Sequence, residues 1–528
     1  MAEYIVTVTE SANWQELHNE LVNDGIAVVK LRATNTRNTH YNLTTEQATN
    51  LKNDPRVLAV QERSILDQVS TSAIQDADFS KTNSNWGLLR HTSQTNNYGT
   101  SSSDPGGTYD YVLDGTGVDV VIIDNGFQVS HPEFQDANGV SRVKEINWFN
   151  ESGVSGNQSS IHYTVSANHG THVAGTVAGK TYGWAKNANI YFLKIPMNDN
   201  IGGGIDTDDA FDCLKGWHNA KAGSRPTIVN CSFGWSAKLK TDQPTAYMMG
   251  DNGVDANTNM PAIGGQYRGT THTDVNPIHW REDFGLRGWT SGSSPGNVAG
   301  GIMITTIQVP SVDVDIKQCI DAGIMFCMAA SNENNKMVSP TNEDFNNYFR
   351  FKAINAEDNQ WGTWTAGEEA KLYYMRPGSP NLYGGIDYET DYNGSDPNIP
   401  GLMVGALDTT TNSSTHDRKV YFSNTGNAVN IYAAGQSIKS SVTGSSTDSY
   451  NGTSMASPQV AGMCALLLQA HPDWTPEQVT NWFIGNAQDK MYSAGTTDWT
   501  DNYSILGGTP RVAYFPLSGQ KPFIISGS

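Results

Sequence analysis

Apolar and polar positions fall into two regimes along the chain. Residues 4–8 alternate as a strand, Ala12 to Asn23 reads as an amphipathic helix ended by Gly25, and IAVVKL is a second strand. Thr44 and Gln47 form a capping box for a helix through Lys52, stopped at Asp54-Pro55, and RVLAVQ is a further strand. The pattern predicts a small α+β unit over 1–66, an antiparallel sheet backed by two helices in the ferredoxin-like or split β-α-β manner. Residues 67–84 are by composition a polar linker.

From Asn85 the text changes. GTGVDVVIIDNGF holds a near-continuous apolar run ending at Asp124, which is how a buried parallel strand reads. NHGTHVAGTVAG opens a helix at His169 with small residues that permit close packing. NIYFLKI, TIVNCSF, GIMFCMAA and GLMVGAL are further strands, with helical stretches around Asp206 to Lys221 and Val312 to Ala322. YNGTSMASPQVAGMCALLLQA places a helix start at or next to Ser454, with Gly452 to relax the turn and Pro458 near the first turn. Thr475 to Gln478 is a capping box with Pro476 at the first position, opening a helix to about Asn486. This alternation predicts an α/β fold with a doubly wound, mostly parallel sheet over 85–528. Two tracts, about 236–300 and 335–400, are too long for ordinary connections and are read as insertions.

Composition narrows the field. A formal net charge of -20 over 528 residues argues against a nucleic-acid surface or an anionic membrane as partner. No apolar run approaches the roughly 20 residues that span a bilayer. MAEYIVTVTE has neither the basic region nor the apolar core of a signal peptide, so the expectation is a chain that is cytoplasmic at synthesis. Cys213, Cys231, Cys319, Cys327 and Cys464 lie in apolar elements without paired spacing, as buried thiols do. His272, Asp274 and His279 have no helix-borne ligand spacing, so no metal site is assigned to them.

Strands of such a sheet aim their carboxyl ends at one crevice. Asp124 ends one strand, Asn332 follows another in AASNEN, and His169 and Ser454 each begin a helix. Singly these read as turn, surface or capping residues. Together they supply a nucleophile, a base, a carboxylate to hold the base, and an amide to meet an oxyanion, with no cofactor needed for the chemistry.

VIIDNGFQVSHPEF, NHGTHVAGTVAG, IVNCSFG, MAASNEN and YNGTSMASPQVAG resemble the motifs of subtilisin-like serine proteases, in the same Asp, His, Ser order. NWGLLR, HPEF and GTVAGKTYGWAKNA carry a narrower likeness to the proteinase K branch, and YIVTV with LTTEQATNLKNDPRVLAVQE resembles an inhibitory prodomain. The resemblance implies a serine endopeptidase working through an acyl-enzyme, with Asp124, His169 and Ser454 as triad and Asn332 as oxyanion donor. It makes His172 a packing residue. It implies that Ser232, Phe233 and Gly234 form an edge that pairs with an extended polypeptide substrate, and that Ala329, Ala330 and Ser331 line the primary pocket. The precursor would be self-inhibited, with the prodomain as its own intramolecular partner and a tail between Glu62 and Asn85 lying in the site.

Departures from the family pattern are specific. Asn125 follows the aspartate where Ser or Thr is usual, Ser331 replaces a glycine and should narrow or polarise the pocket, and the first insertion leaves from the substrate edge at Trp235. The calcium loop of bacterial subtilisins is absent from GTVAGKTYGWAKN; Asp408 in VGALD resembles one calcium ligand, which does not by itself assign a site. The competing classes are an esterase, built from the same parts, and a structural protein, such as a virion component, that keeps this fold.

Overall fold

The computed structural model describes residues 1–9, 12–32, 34, 37–61, 63, 85–94, 96, 109, 111–196, 203–234, 311–338, 342–344, 401–409, 416–492 and 501–516, plus the backbone at 62, 69–70, 235–240, 248–249, 264–267, 270–272, 302–306, 310, 348–352 and 372–375. The first 62 residues form β1 (Ala2–Val8), α1 (Trp14–Asn23), β2 (Ala27–Leu31), β3 (Asn38–Leu43), α2 (Thr45–Leu51) and β4 (Val57–Glu62). The strands pair antiparallel in the order β2-β3-β1-β4. Leu17 and Leu21 of α1 and Leu51 of α2 share one core with Val6, Tyr41 and Val60 of the strands. The Thr44–Gln47 capping box forms as the sequence predicts.

The strand missing from the sequence reading is β3. Its sequence, NTHYNL, has no apolar alternation, yet Asn38, Thr39 and His40 are buried. Asn38 and His40 find partners both on β1, at Thr7 and Glu3, and in the second unit, at Asp315 and Asp208, so nothing local marks the strand. A two-residue strand, β5 (Val69–Ser70), follows within the stretch read as linker.

The larger unit runs through α3 (Gly87–Arg90), β6 (Asp119–Asp124), β7 (Val143–Lys144), α4 (Trp148–Ser152), α5 (Asn168–Ala178), β8 (Asn189–Lys194), α6 (Thr207–Ala220), β9 (Thr227–Cys231) and β10 (Gly234–Lys240). It continues through α7 (Pro310–Asp321), β11 (Met325–Ala329), β12 (Leu402–Leu407), β13 (Ile431–Ala434), β14 (Ile438–Val442), β15 (Ser446–Tyr450), α8 (Thr453–Ala470), α9 (Pro476–Asn486), β16 (Gln488–Asp489) and β17 (Arg511–Val512). Nine strands form the central sheet in the order β16-β17-β13-β12-β11-β9-β6-β8-β7. Its pairs are parallel except β16 with β17. All six residues of β6 are buried, as its unbroken apolar run requires of a strand covered on both faces.

Helix α8 is buried from Thr453 to Leu468 and packs against β9, β11, β12 and α5. Among the described residues no helix is long and apolar enough to cross a membrane. All five cysteines are buried free thiols. The two long tracts meet each other, since the strand at 264–267 pairs antiparallel with that at 348–352. Of the metal candidates weighed from sequence, Asp274, His279 and the side chain of His272 lie outside the described residues.

Candidate active site

The carboxyl ends of β6, β9 and β11 and the amino ends of α5 and α8 meet at one edge of the sheet. Asp124, the last residue of β6, accepts a hydrogen bond from Asn125 N–H at 2.8 Å. Both of its carboxylate oxygens face His169 Nδ1, at 2.9 and 3.0 Å. Since the carboxylate accepts, Nδ1 carries the proton and Nε2 is left as the basic nitrogen. His169 Nε2 is buried and has no hydrogen-bond partner among the described residues. The approach is close because residue 170 is glycine: a Cβ there would lie 2.2 Å from Gly126 O and 3.1 Å from Asp124 Cβ.

Ser454 is the second residue of α8, so its backbone N–H belongs to the first turn, where no intrahelical acceptor exists. Gly452 stands before the helix with φ 154°, a conformation glycine adopts without cost. In this structure the Ser454 hydroxyl donates to Ser232 O at 3.2 Å, and not to His169. A second bond runs the other way, from Ser232 Oγ to Ser454 O at 3.1 Å. Pro458 explains it. Four residues after Ser454 the helix should supply an N–H to that carbonyl, proline has none, and the Ser232 hydroxyl fills the vacancy. Asn230 completes the link, donating to Ser232 Oγ at 2.9 Å and accepting from Ser457 Oγ at 2.8 Å.

Asn332 is buried, and its Oδ1 accepts from Thr453 N–H at 2.9 Å and Thr453 Oγ1 at 3.0 Å. That orientation turns its amide nitrogen to the side opposite Thr453. The preceding residue, Ser331, sits at φ 77°, the left-handed region where a side chain costs energy. Asn424 straps this turn, taking Glu333 N–H at 3.1 Å and Asn335 N–H at 2.8 Å on its Oδ1. Ser331 Oγ donates to Glu333, whose carboxyl is pushed up by burial. Ala329 ends β11, and Ala330 is fully buried with its N–H on Val404 O.

His172, one turn after His169, stacks on Tyr450 at 4.5 Å and bonds Ile438 O at 2.8 Å; burial holds its pKa down at about 3. It is a packing group. Asp408 is held by Arg418, with Nε at 3.0 Å and Nη2 at 2.5 Å from one oxygen, so a guanidinium stands beside the carboxylate that resembles a calcium ligand. Ser232 and Phe233 lie between β9 and β10 and are not part of a strand; β10 begins at Gly234, and over 236–240 it is flanked by the strands at 302–306 and 248–249, so an edge strand over 232–234 is not what forms. Here β5 is seated: Gly234 faces Ser70 and Trp235 faces Val69, antiparallel.

The first unit is clasped to α6 and α7 by buried charge. Arg32 donates through Nε to Asp212 at 2.6 Å, and through Nη2 to Asp208 O at 2.6 Å and Asp315 at 3.2 Å. Lys30 bridges Asp208 and Asp209, and His40 lies between Glu3 and Asp208. Asn38 donates to Asp315 at 2.7 Å and to Ser311 O at 3.0 Å. Burial would raise the Asp208 carboxyl, but the charges of Arg32 and Lys30 outweigh it and hold it well below the carboxylate range. Asp315 is the opposite case, pushed by burial up to about 7 against the pull of Arg32.

Asp124 and His169 are thus hydrogen-bonded to each other, and Ser454 opens a helix at the same carboxyl edge of the parallel sheet. The chain belongs to the subtilase family, whose model matches residues 115–503. It is similar to alkaline serine exoprotease A of Vibrio alginolyticus, 24% identical over 452 residues, covering 84% of this chain and 54% of that protein. It is also similar to cerevisin of Saccharomyces cerevisiae, 25% identical over 484 residues, covering 87% and 51%. The chain spans about half the length of these curated relatives. A crystal structure of a cold adapted subtilisin-like serine proteinase aligns at 20% identity and a TM-score of 0.43, covering 82% of this chain and 98% of that one.

Proposed function

We propose that the chain is a serine endopeptidase made as a self-inhibited precursor. The observation that carries this is the His169 ring, held through Nδ1 by both oxygens of Asp124 while its buried Nε2 has no partner among the described residues. A buried basic nitrogen without a donor costs about 1–3 kcal/mol, a cost that a hydroxyl turned toward it would relieve. Ser454 is that hydroxyl. Its bond to Ser232 O is a resting position, which the hydroxyl must leave for His169 Nε2 in the reaction. The arriving substrate brings a backbone N–H that competes for the same carbonyl.

In the reaction Ser454 Oγ attacks the peptide carbonyl carbon as His169 Nε2 takes its proton, and Asp124 stabilises the imidazolium that results. The oxyanion meets the Ser454 N–H and the Asn332 amide. His169 passes its proton to the leaving amine, and water then opens the acyl-enzyme. Gly234 and Trp235 pair with the substrate backbone, Ser232 and Phe233 carry the chain toward Ser454, and Ala329, Ala330 and Ser331 line the primary pocket.

Residues 1–66 are the inhibitory prodomain, of the ferredoxin-like kind, and the peptidase domain begins near Asn85, in the proteinase K branch. Seating of β5 on the substrate edge supports this. The test is labelling with a fluorophosphonate. An adduct on Ser454, lost in Ser454→Ala, is expected; a processed chain that gives no adduct refutes the reading and leaves a scaffold with a protease fold.

A further inference from the structure

Three segments meet behind the turn that carries Asn332, and one buried charge joins them. Lys419 is fully buried, and its Nζ donates to Asn334 Oδ1 at 2.9 Å, Val420 O at 3.0 Å, Ser423 O at 3.0 Å and Asn502 O at 2.9 Å. An ammonium has three N–H groups, so four oxygens around it leave none idle and one shared. A charge is buried without heavy cost only when its hydrogens are taken in this way. The acceptors stand on the turn itself, on the segment 420–423 and on the loop at 502. Asn334 Nδ2 also reaches Asn502 Oδ1, at 3.3 Å, which ties the turn to that loop a second time.

The turn needs holding. Ser331 at φ 77° and Asn334 at φ 56° are non-glycine residues in the left-handed region, one on each side of Asn332 and Glu333. Such conformations persist only where the surroundings impose them. Segment 422–425 does so: Asn424 N–H bonds Ser331 O at 3.1 Å, Phe422 O takes Asn334 N–H at 2.7 Å, and Thr425 N–H bonds Asn335 O at 2.9 Å. Asn424 Oδ1 adds its bonds to Glu333 N–H and Asn335 N–H. The carbonyls of Val420 and Ser423, bound to the ammonium, fix where that segment lies. On the other side Asn332 Oδ1 is pinned to Thr453, the neighbour of Ser454.

Resting on the proposed oxyanion role of Asn332, we infer that Lys419 is a positioning residue for that role: its buried ammonium holds the turn so that the Asn332 amide and the Ser454 N–H converge on one oxygen. Lys419 acts through Asn334 directly and through segment 422–425 indirectly. Methionine at 419 would match the side chain in length and donate nothing, leaving four oxygens to face one another without a hydrogen between them. The turn would then be free to relax its two left-handed residues. A misplacement of about 1 Å costs on the order of 10²-fold in rate. The loss is bounded by what Asn332 itself supplies, on the order of 10²–10³-fold.

The experiment is a double-mutant cycle on one chromogenic peptide, with kcat counted per fluorophosphonate-labelled site, over the purified full-length chain, Lys419→Met, Asn332→Ala and the two together. Lys419→Met alone should lower kcat by about 10–10²-fold with KM changed by less than about threefold, and should lower it by less than about threefold more once residue 332 is alanine. A lysine that merely stabilised the fold would cost the same factor in both backgrounds; that outcome overturns the inference and leaves Asn332 its role. Unchanged kcat in Lys419→Met overturns it as well. Unchanged kcat in Asn332→Ala overturns the oxyanion reading, and this inference falls with it. Where Lys419→Met does not fold, Asn334→Gly takes its place in the cycle. Glycine keeps the left-handed backbone and removes the amide that ties the ammonium to the turn, so the same loss and the same coupling to Asn332 are expected.

Discussion

Replacing Arg32 by methionine tests how the first unit is held. The guanidinium is buried among Asp208, Asp212 and Asp315, bonded at 2.6, 2.6 and 3.2 Å. Methionine fills a similar volume but leaves two carboxylates facing an apolar chain. Removing one partner of a buried ion pair costs about 3–5 kcal/mol, because the remaining charge stays desolvated. Asp315 can escape part of that by taking a proton, since burial already pushes its pKa up to about 7. The lower end, about 3 kcal/mol, is therefore expected, which is roughly two powers of ten in docking. The assay is amide hydrogen exchange in a Ser454→Ala background, so that the chain stays whole. Protection in β3 should fall by about a hundredfold while β6 and β11 keep theirs. Replacing Arg32, Asp212 and Asp315 together by methionine and leucines should restore much of the loss, since no charge is then stranded. Unchanged protection of β3 in Arg32→Met would refute the claim that this cluster is the clasp.

Other outcomes follow from single groups. Asn332→Ala should lower kcat by about 10²–10³-fold with KM little changed, the size of effect found on losing one such donor in subtilisin; equal losses in every step of binding would count against an oxyanion role. Ser331→Gly removes a side chain at φ 77° and should stabilise the fold by about 1 kcal/mol, read as a rise in Tm, and widen acceptance in the primary pocket. Asp315 carries a pH dependence whose sign is set by its raised pKa: the docked form binds a proton that the released form does not. That contribution is whole below about pH 4 and is lost as pH rises to about 7, so protection of β3 should fall between about pH 4 and 7, level off above that, and lose this dependence in Asp315→Asn.

Strands and helices that answer to their neighbours in sequence were legible in it. The apolar run of β6, the small residues of α5, the capping boxes of α2 and α9 and the helix behind Ser454 are local patterns, set by periodicity and side-chain size. The four polar residues proposed for the site could be picked out for the same reason, because each stands at or near an element end: Asp124 closes β6, Asn332 follows β11, and His169 and Ser454 are the second residues of α5 and α8. Other features depended on partners far along the chain. The polar strand β3 is buried because Asn38 meets Asp315, 277 residues away. Arg32 finds Asp212 at a separation of 180, and the carbonyl left open by Pro458 is answered by Ser232, 222 residues upstream of Ser454. A buried polar group declares itself only through its acceptor, and when that acceptor lies on another element no periodicity records it. Local propensity therefore determined which pieces exist, while the burial of matched charges and hydrogen bonds across the tertiary fold decided how the first unit sits and where the tail meets the site.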